Sequence, residues 1–111
     1  MKVSELIKSL NAKVYTGQEI SDQKEIDGCF IGDLLSLAMA KVEEKNIWIT
    51  IQTNVNIVAV ASLADCGCII IADGFLPDEN TVEKAKQQDV IILGSDLSVY
   101  GVAKKLAELK I

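Results

Sequence analysis

The segment from Trp48 to Gly74 limits what this chain can fold into more than any other. Trp48-Ile49-Thr50-Ile51 is a β-rich run closed by the polar Gln52-Thr53-Asn54, and Cys68-Ile69-Ile70-Ile71 is a second apolar run closed by Asp73-Gly74. Runs so short and so apolar suit strands covered on both faces, as in a parallel sheet. Parallel neighbours need a crossover of roughly a dozen residues. The segment from Asn54 to Asp65 supplies it. Its Val and Ile favour strands, but its length, the N-cap Asn54 and the trailing Gly67 predict a helix.

The flanking chain extends the pattern. Ser4 caps a short helix with Leu6, Ile7 and Leu10 on one face, and Asn11 ends it. Lys13-Val14-Tyr15-Thr16 reads as a strand, followed by an irregular loop with turn signals at Gly17 and Asp27-Gly28. Cys29-Phe30-Ile31 is the next strand. Gly32-Asp33 opens a helix whose Leu34, Leu35, Ala38, Met39 and Val42 follow the 3.6-residue period. Asn80-Thr81-Val82-Glu83 fits a capping box for a helix to Gln88, with Val82 and Ala85 inward. Asp89-Val90-Ile91-Ile92-Leu93 is the last strand. Gly94-Ser95-Asp96 leads into a final helix carrying Val99, Val102, Ala103, Leu106 and Leu109. The expected architecture is α/β: one domain over residues 1–111, with a mostly parallel sheet and helices on both faces.

Composition excludes several classes of function. The chain has 111 residues and a net charge of −5, against nucleic acid, whose phosphates demand clustered cations. All 11 basic residues are Lys. Without His or Arg there is no imidazole base, no His metal ligand and no bidentate guanidinium clamp. No apolar run reaches the roughly 18 residues that a membrane span needs, and the amphipathic N-terminus has no signal-peptide core. Three cysteines in such a chain point to a reducing cytoplasm.

The strands end in four polar corners: Gly32-Asp33, Gln52-Thr53-Asn54, Asp73-Gly74 and Gly94-Ser95-Asp96. Ligands of open parallel sheets bind beyond the carboxyl ends of the strands, where helix N-termini point. No Lys lies in these corners, so a bare phosphate is a poor guest. A nucleoside, a sugar hydroxyl or a Mg²⁺-bound nucleotide fits better. The plain alternative carries more weight, because Asp, Asn, Ser and Gly are the ordinary residues of turns and caps.

Cys66-Gly67-Cys68 and Cys29 fall short of the four ligands of a zinc or iron–sulfur site, so buried structural thiols are expected, with no metal and no cofactor. The serines have no His partner, which excludes a hydrolase triad. There is no phosphate-binding Gly-rich loop.

Certain stretches resemble the stand-alone DRTGG-domain proteins. They are Ile31 to Ser36, Ile49 to Ala61, the Gly74-x-x-Pro77 loop, and the Val90-Ile91-Ile92-Leu93 strand with its following helix. The resemblance covers nearly the whole chain. It implies a fold similar to the N-terminal domain of HPr kinase/phosphorylase. In larger proteins that domain sits beside CBS domains, for example in a class of inorganic pyrophosphatase, as a regulatory or dimerising module. Two motif positions depart from the family. Gln52-Thr53-Asn54 stands where its Asp-Arg pair falls. Ala72-Asp73-Gly74 stands where its Thr-Gly-Gly falls, so only Gly74 matches.

Three functions follow, in order. The first is a non-catalytic regulatory or ligand-sensing module, acting as a homodimer on a partner enzyme or a nucleotide-like molecule. The second is a purely structural interaction module. The third is a Mg²⁺-dependent enzyme using Asp33, Asp73 and Asp96. The homodimer is read from the crossover helix. Val55 and Val58 fall on one of its faces and Ile57, Val60 and Ala61 on the other, with no charge before Asp65. A helix apolar all round is normally buried all round, so its second face is expected against a second copy, with the N-terminal helix as the alternative cover.

Overall fold

A computed structural model describes residues 1–111. The two runs of the central segment form neighbouring strands, β3 (Asn46–Thr50) and β4 (Cys68–Ile71), which pair in parallel. β2 (Gly28–Ile31) and β5 (Ile92–Gly94) flank them, also in parallel. β1 (Lys13–Thr16) adds antiparallel to β5, giving the order β1-β5-β4-β3-β2.

Helices α2 (Leu35–Lys41), α3 (Asn56–Ala64) and α4 (Glu79–Gln88) make the three successive crossovers. The strands they link advance in one direction, so crossovers of one hand place all three helices on one face. Their apolar side chains pack there with Trp48, Ile69, Ile71 and Ile92. The opposite face, with Ile47, Ile49, Ile70 and Leu93, is covered by α1 (Val3–Leu10) and α5 (Val99–Glu108). The α/β architecture with helices on both faces is as the sequence implies.

Several details differ. Lys2, not Ser4, is the N-cap of α1, and its backbone N–H donates to Glu5 Oε1 at 3.0 Å. Asn11 does end the helix, in the left-handed region. α2 is shorter than its apolar period suggests, with Leu34 and Val42 as its caps. Leu34 and Met39 are exposed rather than inward, because α2 lies over the sheet edge; Ala38 and Val42 are buried in the core and Leu35 packs against it. In α4 the N-cap is Asp78 and the buried residues are Thr81 and Ala85, so the helix starts two residues earlier than the capping box implied. Asp65, at φ 53°, terminates α3. Gly67 serves close packing instead, since a Cβ there would lie 2.5 Å from Ile26 Cγ2.

The largest correction concerns α3. The helix lies between α2 and α4. Ile57 and Val58 are 0% exposed, Val60 4% and Ala61 2%. Both of its apolar sides are therefore covered within one chain, and these four residues are core rather than a free surface. Val55 is half-buried at the N-cap. The strip left to solvent is Asn56, Ala59, Ser62 and Leu63.

This burial pattern is testable by urea unfolding. Ile57→Ala should cost about 2–5 kcal/mol, whereas Ser62→Lys on the exposed strip, outside any apolar groove, should change stability by no more than about 0.5 kcal/mol. Equal costs at the two positions would contradict the placement of the helix.

Candidate functional site at the carboxyl edge of the sheet

β2 to β5 run parallel, so all four polar corners lie on one edge of the sheet, as the sequence implies. The structure divides them into two differently built halves.

The half at β2 and β3 is a side-chain network. The indole N–H of the buried Trp48 donates to the Gly32 carbonyl at 2.9 Å and fixes that corner. Asp33 Oδ1 then accepts from the Thr50 hydroxyl at 2.8 Å and from the Ile51 N–H at 2.9 Å. Gln52 Nε2 donates to the Asp33 carbonyl at 2.9 Å, and Asn54 Nδ2 donates to Gln52 Oε1 at 2.8 Å. Asn54 Oδ1 accepts from the Asn56 N–H at 3.0 Å, which satisfies a donor in the first turn of α3. The Thr53 carbonyl accepts from the Asp78 N–H and the Thr81 hydroxyl, tying down the start of α4. Asp33, Gln52, Thr53 and Asn54 thus spend most of their polar capacity on one another and on caps. Where the DRTGG pattern would carry a charged Asp-Arg pair, this chain builds an amide relay.

The half at β4 and β5 is held by backbone. Ala72-Asp73-Gly74-Phe75 is a tight turn closed by Phe75 N–H to the Ala72 carbonyl. Its central residues have φ 59° and 71°, the combination that Asp-Gly accommodates. The Asp73 N–H donates to the Leu97 carbonyl at 2.8 Å and the Gly74 N–H to the Ser95 carbonyl at 2.9 Å. α4 and α5 leave these adjacent strands toward opposite faces, and the two bonds bridge the gap that would otherwise open there. Gly94 is buried in β5, and a Cβ there would lie 2.5 Å from the Tyr15 ring, so its role is packing.

Only one surface groove touches the predicted corners. It is lined by Leu10, Asn11, Ser95, Asp96, Leu97 and Lys105. Lys13 reaches the same place, with Nζ 3.2 Å from Asp96 Oδ1. Sequence reasoning missed both lysines. Lys13 arrives through the antiparallel pairing of β1 on β5, and Lys105 through the packing of α5, so neither lies within a corner along the chain. The premise that no cation stands at this edge is corrected.

Asp33, Asp73 and Asp96 belong to no group of three or more ligating side chains. Cys66 and Cys68 are buried, as expected. Cys66 Sγ lies 3.2 Å from the Asn46 and Cys68 carbonyls. Burial pushes its thiol up to about 12 and holds Cys68 well above the usual thiol range. Cys29 departs from the expectation, being exposed on the edge strand β2, yet partial desolvation still raises its thiol to about 11.

The relay generates a prediction. Asp33→Ala leaves the buried Thr50 hydroxyl without its acceptor and should destabilise the fold by about 1–3 kcal/mol in urea unfolding. A variant as stable as the wild type would show that the carboxylate is not needed for structure.

Comparison with known proteins agrees with the fold. No curated protein matches the chain. Among solved structures, the CBS and DRTGG domains of the regulatory region of Clostridium perfringens pyrophosphatase, complexed with the activator diadenosine tetraphosphate, share the fold. The TM-score is 0.71 at 12% identity, covering 95% of this chain and 45% of that one, so this chain spans less than half of the region it resembles. Residues 5–109 match the DRTGG domain, nearly the full length, and the chain belongs to the DRTGG-domain family.

Proposed function

We propose that this protein is a non-catalytic regulatory module that senses a nucleotide-like small molecule at the carboxyl edge of its sheet and passes the signal to a partner. The observation that carries the reading is a pairing at that edge. Each parallel strand ends in a polar corner and also in an exposed large apolar side chain: Ile31, Ile51, Phe75 and Leu97, at 47, 39, 49 and 39% exposure. Leu34, Leu76 and Tyr100 extend the row. Exposed apolar side chains beside fixed polar groups suit a planar base or a partner surface, and Phe75 and Tyr100 add aromatic faces. The similarity to a regulatory region that binds a dinucleotide activator supports the same class of ligand.

Within this reading the ligand touches Gln52, Thr53, Asn54, Asp73, Gly74 and the neighbouring corners Gly32-Asp33 and Gly94-Ser95-Asp96. The module acts as a homodimer, for which α2 and α3 offer the apolar groove of Leu35, Met39 and Ala59 beside the exposed Leu63.

Two measurements test the proposal. A nucleotide at 100 times its Kd should add about 2.7 kcal/mol of stability and raise Tm by several degrees. Absence of any shift across nucleosides, nucleotides and dinucleotides, with and without Mg²⁺, would contradict ligand sensing. In sedimentation the wild type should dimerise and Leu63→Lys should not. A wild type that stays monomeric at high micromolar concentration would refute the dimer.

A further inference from the structure

The groove at the β5 corner differs from the other corners in what it leaves unspent. Register pairs Lys13 with Gly94, which sets the Lys13 ammonium beside the end of β5. Lys105, on the second turn of α5, lines the same groove. Ser95 is 7% exposed and also lines it. Its Oγ accepts from the Leu97 N–H at 3.1 Å, and its own proton has no acceptor in the protein. Asn11 adds a carboxamide from the end of α1. The groove thus gathers two lysines, a buried hydroxyl and a carboxamide around one carboxylate, Asp96, which bonds Lys13.

We infer that this groove binds a phosphoryl group, with Lys13 and Lys105 neutralising its charge and the Ser95 hydroxyl donating to one of its oxygens. The inference rests on the reading of this edge as a ligand site and fixes which end of the ligand lies where. The phosphate sits at β5, and the uncharged part lies toward β4 and β3, where the corners offer amides and apolar side chains. Asp96 acts as a counter-charge to Lys13. Its bond to Lys13 is an exposed ion pair with side chains 55 and 76% accessible, and such pairs hold weakly. A phosphate carrying nearly two negative charges outcompetes it. The negative dipole end of α1 opposes the anion, and the two lysines offset it together.

The test is a ¹⁵N NMR titration with inorganic phosphate and, separately, with ADP, each at fixed ionic strength. It is run on the wild type, Lys13→Ala, Lys105→Ala and Asp96→Asn, all exposed positions where folding is not at risk. Both probes should move the amides of Ser95 to Ser98 and Asn11. Each Lys variant should weaken binding about five-fold, and Asp96→Asn should tighten it by about two- to five-fold. ADP binding tighter than phosphate identifies a nucleotide as the source of the phosphoryl group, and equal affinity identifies the free anion. Unmoved Ser95–Ser98 amides, or Lys variants that bind as the wild type does, would overturn the assignment. If ADP then still shifts residues 52–54 and 73–74, the edge site stands without this phosphate end.

Discussion

Everything in this structure follows from two strands that cannot face water on either side. Ile47, Trp48 and Ile49 in β3, and Ile69, Ile70 and Ile71 in β4, are all fully buried. Removing a side chain of this size from water is worth about 1.5–3 kcal/mol, so exposing either face would forfeit much of a small domain's stability. The three crossovers from β2 to β5 advance in one direction and therefore cover one face only. The second cover comes from the chain ends. α5 crosses over after β5, and β1 docks antiparallel on the far side of β5, carrying α1 with it.

That solution makes one corner unlike the rest. At β2, β3 and β4 the chain always turns toward the same layer of helices. At β5 it turns away. The backbone bonds from Asp73 and Gly74 to the β5–α5 loop close the resulting gap. The same turn sets Lys105 on the groove beside Asp96, and the pairing of β1 on β5 brings Lys13 to it. A requirement of core burial thus decides where the cations of an acidic protein meet the ligand edge. The Asp33–Gln52–Asn54 relay at the other end has the converse character. It satisfies buried and capping groups and leaves few donors for anything else.

Much of the fold was legible in the sequence because β3 and β4 are apolar on both faces, and only a doubly covered parallel sheet tolerates that. The Val-rich segment before Asp65 was legible as a helix from its length, although residue preference pointed to a strand. What the sequence did not reveal was lateral arrangement. Periodicity identifies α3 as apolar all round, but it does not say that α2 and α4 lie on either side of it. The helix therefore read as short of a cover that the chain itself supplies. The site was legible in outline for the same reason. Strand ends can be read along the chain, whereas Lys13 and Lys105 reach theirs through tertiary packing. The exposure of Met39 and Cys29 likewise reflects the position of β2 and α2 at the rim of the sheet, which no local pattern encodes.

The account depends on a sheet clamped from both faces by two separate sets of helices. Native-state amide hydrogen exchange tests this directly. The amides of Ile47 to Thr50 and Ile69 to Ile71 should exchange only through global unfolding, with an opening free energy equal to that from urea, while β2 at the rim opens more readily. Exchange of β3 and β4 at a free energy well below the global value, with α1 and α5 still protected, would show that the central strands are not held from both sides.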